Sequence, residues 1–287
     1  MQSVKLRFNQ LNEEYRIKEA FKTLRTNIEF CGNDVKVVAV TSCTPNEGKS
    51  SISMKLARAF AEAGNKTILI DADMRKSVLV GRYRTKQVKR GLTHCLAGRA
   101  TADDVICETN IDNLYVIFAG PVPPNPSELL GSEGFDGLVS TLRKDFDYVI
   151  IDTPPLGSVI DAAVAAKFCD GAVMVIESNA ISYKFAQGVK DQLEKTGAKI
   201  LGVILNKVDL NTKKYYGHYG RYYGKYYGKY YGKYYGNYGQ PADSGELSES
   251  VEEDVPIVPS NTASLSEAAK EVDEYMEFLN LPDQTNL

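Results

Sequence analysis

The chain has 287 residues, 43% of them hydrophobic and 25% charged, which is typical of a soluble globular protein with one large α/β domain and a tail. No apolar run reaches the roughly 20 residues that a membrane-spanning helix needs, and the first residues lack the apolar core of a secretory signal. The net charge is −3 and the five cysteines form no CxxC pair, so we predict free thiols in a reducing cytoplasm rather than disulfides or metal ligands.

Residues 1–12 form an N-terminal arm, and an amphipathic helix is predicted over residues 13–30. Its apolar residues recur at spacings of three and four: Ile17, Phe21, Leu24 and Ile28. The polar face carries Glu19, Lys22 and Arg25. From spacing alone this is a solvated face stabilised by pairs three residues apart.

A strand, a tight loop and a helix are predicted between residues 35 and 63. The loop closes with Gly48-Lys49-Ser50, as a phosphate-binding P-loop does. Lys49 would reach the β- and γ-phosphates, and the Ser50 hydroxyl would complete a Mg²⁺ shell. Cys43 stands where the pattern has its first Gly. The residues predicted to bind the nucleotide are Thr44, Pro45, Asn46, Glu47, Gly48, Lys49, Ser50 and Ser51.

Residues 66–73 predict a second strand, which brings two carboxylates to its carboxyl end. The apolar run at 68–70 suits a parallel strand that is buried on both faces. Asp71 and Asp73 follow it, at the edge where open α/β sheets bind their ligands. Each could merely cap a helix, but two carboxylates on one side would repel each other unless a cation lies nearby.

The middle of the chain is less regular. Residues 76–112 predict only a short helix at Leu92–Leu96, and a strand follows at 113–119. Asn125 is predicted to cap the next helix, with Pro126 at its first position. We expect that helix to be interrupted at 131–137 and to end near residue 144.

Residues 147–152 predict a third buried strand, which ends in Asp152 like a Walker B strand and would hold Mg²⁺ through water. The pattern then alternates helix, strand, helix and strand at residues 161–168, 171–176, 182–195 and 199–206. This alternation predicts an α/β fold with a doubly wound, mostly parallel sheet, a P-loop NTPase domain spanning residues 13–211. Asn206 ends the last strand and is a candidate adenine contact, although a turn residue would serve there equally well.

Residues 212–240 are a tyrosine-rich tail in which Tyr-Tyr-Gly-Lys repeats every four residues. Residues 212–238 hold six Lys or Arg and no acid, whereas residues 239–287 hold twelve acids and one base. With frequent Gly and no aliphatic residues the tail cannot build a core, so we predict a disordered segment. Residues 241–287 are predicted as an acidic linker and a short helix. The tail tyrosines are Tyr215, Tyr216, Tyr219, Tyr222, Tyr223, Tyr226, Tyr227, Tyr230, Tyr231, Tyr234, Tyr235 and Tyr238.

These motifs together resemble the bacterial tyrosine kinases of capsule and exopolysaccharide synthesis. That family has a Walker A loop with a small residue in place of the first Gly, which Cys43 matches. Its second motif, three apolar residues and Asp-x-Asp-x-Arg, is matched by residues 68–75. Its Walker B strand, ending in Asp-x-x-Pro, is matched by residues 149–155. With the segment 120–130 and the tyrosine cluster, the resemblance covers about residues 15–240.

The resemblance implies a protein-tyrosine kinase that uses ATP and Mg²⁺ and phosphorylates its own tyrosine cluster in trans. Its catalytic residues would be Lys49, Asp71 and Asp73, with one of the two second-motif carboxylates accepting the tyrosine proton. The metal shell would comprise Ser50, Asp152 and the other second-motif carboxylate, for which Asp73 is the first choice. The family's role implies regulation of polysaccharide synthesis and export.

Partners and location also follow from the resemblance. Members of this soluble type are cytoplasmic and are recruited to the inner face of the cell membrane by a membrane-anchored activator, a polysaccharide co-polymerase. A ring of like chains and a cognate phosphotyrosine phosphatase are the other implied partners. The family's oligomer motif Glu-x-x-Arg-x-x-Arg appears here with Lys22 between Glu19 and Arg25. Because Lys lacks the bidentate fork of Arg, we expect a weaker oligomer contact.

Three other functions fit parts of the sequence. A partitioning or cell-division ATPase would share the sheet, but its early P-loop lysine is replaced by Thr44. A nucleic-acid arm would explain the alternating cations and aromatics of the tail but not the kinase-like motifs, so no nucleic-acid partner is expected. An Fe–S scaffold ATPase would need paired cysteines, which the sequence lacks. Residues 239–287 have no counterpart in the family pattern.

Overall fold

The computed structural model describes residues 2–4, 15–83 and 88–208. Within them the chain forms one sheet and helices on both of its faces. The strands are β1 (Gln2–Ser3), β2 (Val37–Ser42), β3 (Thr67–Asp71), β4 (Ile106–Glu108), β5 (Leu114–Ile117), β6 (Tyr148–Asp152), β7 (Gly171–Glu177) and β8 (Ile200–Asn206). The helices are α1 (Tyr15–Phe30), α2 (Lys49–Glu62), α3 (Leu79–Arg82), α4 (Leu92–Leu96), α5 (Ala102–Val105), α6 (Pro126–Leu130), α7 (Glu133–Asp145), α8 (Asp161–Ala166) and α9 (Tyr183–Glu194).

The sheet has the order β1-β4-β5-β3-β6-β2-β7-β8 among the described strands. Every neighbouring pair is parallel except β4 and β5, which run antiparallel. The doubly wound, mostly parallel sheet is therefore confirmed. β3, β6 and β2 are adjacent, so the second motif, the Walker B aspartate and the P-loop leave the sheet side by side at its carboxyl edge.

The central strands are apolar throughout because both faces of the sheet are covered. Successive residues of β2 point to opposite faces: Val38 packs with Phe60 of α2, whereas Val37 packs in the cluster that contains Phe135 of α7. Phe60 also stacks on Tyr148 of β6, with ring centroids 3.9 Å apart. This packing holds α2 against the sheet, and the P-loop leads directly into the first residue of α2.

Helix α1 confirms the predicted amphipathic helix but corrects the assignment of Arg25 to its solvated face. Glu19 and Lys22 are exposed and form an ion pair of 2.7 Å. Arg25 is instead partly buried against α2, where its Nη1 donates to the Ala59 carbonyl at 3.1 Å. A helical spacing identifies a face but not the neighbouring helix, so the sequence could not show this contact.

Several local predictions change in the structure. Helix α7 runs through Gly134 and Gly137, so the interruption is shorter than predicted, because Ser132 caps a new helix start by accepting from the Phe135 N–H. Asn125 precedes α6 but makes no capping hydrogen bond. The arm contributes β1, which pairs with β4, and Val4 is buried. The elements α3, α5 and β4 were not predicted.

The tyrosine tail, the acidic linker and the short C-terminal helix lie outside the described residues. All five cysteines lie within them and are free thiols, as predicted. None of the helices in the described part of the chain is long and apolar enough to cross a membrane.

Candidate active site

The P-loop connects the end of β2 to the first residue of α2, as the motif predicted. Asn46 and Gly48 have positive φ angles of 70° and 97°, a conformation that Gly adopts freely and that Asn tolerates better than most residues. Cys43 is fully buried in an apolar cluster with Leu156. Burial raises the pKa of its thiol to about 12, so this side chain acts as a small apolar residue under the loop.

Hydrogen bonds to Glu47 and from the end of β8 fix the shape of the loop. The Glu47 carboxylate is almost fully buried and accepts from the Thr44 N–H at 2.8 Å. The Asn206 amide donates to the Glu47 carbonyl at 2.7 Å, and Lys207 Nζ donates to the Asn46 carbonyl at 2.9 Å. Asn206 lies so close to Gly48 that a β-carbon at residue 48 would collide with its amide. The end of β8 thus braces the P-loop.

Lys49 points into the space between the strand ends. Its Nζ donates to Asp73 Oδ2 at 3.0 Å and to Ser50 Oγ at 3.3 Å. Burial alone would lower the pKa of Lys49, but the carboxylates of Asp152 and Asp73 outweigh it and the pKa is raised. Lys49 is therefore a buried, protonated cation at the phosphate-binding loop.

Asp71 and Asp152 end neighbouring strands and are partners in the β3–β6 register. Both side chains are fully buried. Burial and the nearby Asp152 raise the pKa of Asp71 to about 8, although a hydrogen bond from Ser77 opposes this. Burial also raises the pKa of Asp152, against the effect of Lys49. Asp71 Oδ1 and Asp152 Oδ2 have no hydrogen-bond partner among the described residues.

Two buried, unpartnered carboxylate oxygens beside a serine hydroxyl fit a Mg²⁺ ion. Mg²⁺ takes hard oxygen ligands and uses only one or two carboxylates, with waters and phosphates completing its shell. In the described residues no group of three or more His, Cys, Asp and Glu is arranged to hold a metal without such help. A metal-nucleotide complex therefore fits this site better than a metal bound by protein alone.

The structure brings most of the predicted site residues together. Lys49, Ser50, Asp71, Asp73 and Asp152 all converge at the carboxyl edge of the sheet. The rest of the predicted set is more widely spread. Ser51 accepts from Arg82 at the start of α2, Asn206 contacts the loop from below, and Glu19 and Lys22 are exposed on α1.

The sequence did not predict that two serine hydroxyls would lie near the carboxylates. Ser53 donates to Asp152 Oδ1 at 3.1 Å, and Ser77 donates to Asp71. Ser53 follows Lys49 by one helical turn, so the helical spacing could have placed it near the site. Ser77 lies in a segment without a regular pattern and gave no such signal.

Comparisons with known proteins agree with this geometry. A family described as an AAA domain matches residues 35–204. Tyrosine-protein kinase CpsD of Streptococcus pneumoniae is 45% identical over 222 residues, which cover 76% of this chain and 96% of that protein. The CpsD kinase of Streptococcus agalactiae is 44% identical over 215 residues, covering 74% and 94%.

Solved structures show the same relationship. The chimerical protein CapA2B2 has a TM-score of 0.66 and 37% identity and covers 72% of this chain and 94% of its own. The kinase domain of the Escherichia coli tyrosine kinase ETK has a TM-score of 0.65 and 33% identity, with coverages of 69% and 78%. The septum site-determining protein MinD of Pyrococcus horikoshii, complexed with Mg-ADP, is less similar, with a TM-score of 0.53, 25% identity and coverages of 60% and 70%. The chain belongs to the bacterial tyrosine kinases and is a protein-tyrosine kinase with a P-loop nucleotide-binding fold.

Proposed function

We propose that this kinase uses Mg²⁺ and ATP at its P-loop to phosphorylate the tyrosine tail of another copy of itself, and so regulates capsular or exopolysaccharide synthesis and export. One observation carries the proposal: the buried cation Lys49 of the P-loop lies beside three aspartates, which come from the ends of two neighbouring strands. The similarity to MinD complexed with Mg-ADP supports the nucleotide and the metal.

Lys49 and the loop amides would bind the phosphates. The Lys49–Asp73 pair has side chains only 11% and 8% exposed, and the phosphates of ATP offer Lys49 a stronger partner than one carboxylate. Binding of ATP would therefore draw Lys49 towards the β- and γ-phosphates and free one oxygen of Asp73.

The two second-motif aspartates would then have different roles. Among the described residues, Asp71 and Asp152 each have a buried carboxylate oxygen without a hydrogen-bond partner. These two, with Ser50, are therefore our preferred metal ligands. When bound there, Mg²⁺ would neutralise charge on the transferred phosphoryl group. Asp73, which the sequence placed in the metal shell, would instead accept the tyrosine proton.

The phosphoryl transfer itself needs little covalent chemistry from the protein. The tyrosine oxygen forms a bond to the γ-phosphorus while the bond from that phosphorus to the β,γ-bridging oxygen breaks. The phenolic proton passes to Asp73, and ADP leaves. A carboxylate is a weak base towards a phenol of pKa about 10, but in a loose transition state the proton leaves late.

The tail is the proposed substrate because the described domain offers few reachable tyrosines. Of the five tyrosines in the described residues, only Tyr15 is mostly exposed, at 76%. Tyr83 is buried, and Tyr148 is half-buried and stacked on Phe60. The tail offers twelve more tyrosines within residues 215–238.

A tail deletion tests this proposal. Removing residues 213–238 should leave nucleotide affinity unchanged in titration calorimetry but remove most of the phosphate that intact mass spectrometry detects after incubation with Mg-ATP. Tyr15→Phe, with the tail intact, is the matched control and should keep that phosphate. Phosphate that remains on the deleted chain would show that a tyrosine outside the tail is the main acceptor.

Assembly would bring one tail to a neighbour's site. Glu19 and Lys22 are exposed on α1 and available for a subunit contact, whereas Arg25 also joins α1 to α2. The proposed partners are like chains in a ring, a membrane-anchored activator that recruits the kinase from the cytoplasm, and a phosphotyrosine phosphatase. The similarity to the chimerical protein CapA2B2 supports a second protein component.

A further inference from the structure

A buried carboxylate beside the site has no part in the proposed chemistry. Asp161 begins α8 and is fully buried. Its two oxygens accept from one guanidinium, that of Arg75: Nε donates to Oδ2 at 2.7 Å and Nη2 to Oδ1 at 2.9 Å. Ser127 of α6 donates to the same Oδ1 at 2.7 Å. The pair is thus bidentate and carries a third hydrogen bond.

This arrangement keeps both groups charged. Burial would raise the pKa of Asp161, but the hydrogen bonds from Arg75 and Ser127 outweigh it and the pKa is lowered. A bidentate Arg–carboxylate pair fixes direction as well as distance, because its two parallel bonds allow little rotation. Arg75 is therefore held in one orientation, although its side chain is 40% exposed.

Arg75 lies inside the turn that carries Asp73. Asp73 Oδ1 accepts from the Lys76 N–H at 3.0 Å, and the Met74 N–H donates to the Ala72 carbonyl at 2.9 Å. The turn therefore starts at the end of β3, folds back on the Asp73 carboxylate, and is anchored to α6 and α8 through the side chain of Arg75. The remaining Asp73 oxygen accepts from Lys49.

We infer that Arg75 and Asp161 are a positioning pair, which holds the turn at residues 73–76 so that the Asp73 carboxylate faces Lys49 and the incoming tyrosine. Neither residue needs to touch the substrate. The inference rests on the proposed role of Asp73. Its consequence is specific: loss of the pair should slow the phosphoryl transfer while leaving the P-loop, and hence ATP binding, intact.

The test compares Asp161→Asn, Arg75→Gln and the double variant in the full chain. Initial rates of tyrosine phosphorylation, measured against ATP concentration, should show kcat about tenfold to a hundredfold lower in each single variant, since a misplacement of about 1 Å can cost about a hundredfold. The KM for ATP should change less than about threefold. The double variant should be no slower than the slower single variant, because both changes remove one interaction.

A second arginine–aspartate pair provides the control. Arg143 Nη1 donates to both oxygens of Asp170 at 2.6 and 2.8 Å. Asp170 also accepts from the N–H groups of Lys36 and of Val37, the first residue of β2, at the amino edge of the sheet. Arg143→Gln should lower the melting temperature yet leave kcat unchanged. The lower kcat of the Arg75 and Asp161 variants could then not be explained by the loss of stability that follows when an ion pair is removed.

Three results would overturn the inference. Wild-type kcat in Asp161→Asn would show that the pair positions nothing. Multiplicative rate losses in the double variant would show that the two residues act separately. A KM for ATP raised more than tenfold in Arg75→Gln alone would make Arg75 a phosphate ligand. A failure of the proposed function would be seen separately, as full activity in Asp73→Asn.

Discussion

Replacement of Lys49 by Met should destabilise the kinase as well as inactivate it. Lys49 is 9% exposed and is the cation that opposes Asp71, Asp73 and Asp152. Met keeps the length and the apolar stem of the side chain but removes the charge. The Asp73 carboxylate would then be buried without its partner, and the cation would be lost from the phosphate-binding loop.

The size of the effect follows from the burial of the pair. Breaking a buried ion pair by removing one partner costs about 3–5 kcal/mol, and in a domain of this size each kcal/mol lowers the melting temperature by about 2–4 °C. The nucleotide-free variant should therefore melt about 6–20 °C below the wild type. Phosphorylation should fall by at least about a hundredfold, as expected when a group that stabilises transition-state charge is removed.

The double variant Lys49→Met/Asp73→Asn separates the two effects. Because it has no unpaired carboxylate at residue 73, it should recover much of the lost melting temperature in differential scanning calorimetry. It should not recover phosphorylation. An equal melting temperature in wild type and Lys49→Met would refute the argument, since the ion pair would then contribute nothing to folding.

Three further predictions concern other parts of the domain. Gly48→Ala should abolish measurable nucleotide binding in calorimetry, because the added methyl meets Asn206 in a backbone conformation that Ala rarely adopts. Replacing Glu19 and Lys22 together by Ala should lower the assembled mass in light scattering and leave nucleotide affinity unchanged. Asp170 has a lowered pKa because hydrogen bonds from Val37 and Arg143 outweigh its burial. Its contribution to stability is present above pH about 4 and is lost as the pH falls. In Asp170→Asn the melting temperature should therefore decrease less steeply than in the wild type as the pH is lowered.

The sequence predicted the site where local pattern and topology agree. Gly48-Lys49-Ser50 is a contiguous motif, so its loop geometry needed no distant information. Asp71 and Asp152 could be placed together because the carboxyl ends of parallel strands share one edge. The register of β3 and β6 then brought them opposite each other.

The contacts that the sequence did not predict join residues that are distant in the chain. Arg75 and Asp161 are 86 residues apart in sequence, and only the packing of α6 and α8 near the end of β3 brings them together. Arg25 has the spacing of a solvated residue but meets the Ala59 carbonyl, because α2 lies beside α1. Periodicity within one helix carries no information on either contact.

Transfer of phosphate between two variants that differ in mass tests the central proposal most directly. Full-length Lys49→Met supplies acceptor tyrosines without catalysis, and the chain lacking residues 213–238 supplies catalysis without the tail. After the two are mixed with Mg-ATP, intact mass spectrometry should find phosphate on the Lys49→Met chain, mapped to residues 215–238, and none on that chain alone. Wild-type kinase, incubated separately under the same conditions, should phosphorylate itself. If it does so while the Lys49→Met chain in the mixture stays unmodified, transfer in trans is contradicted.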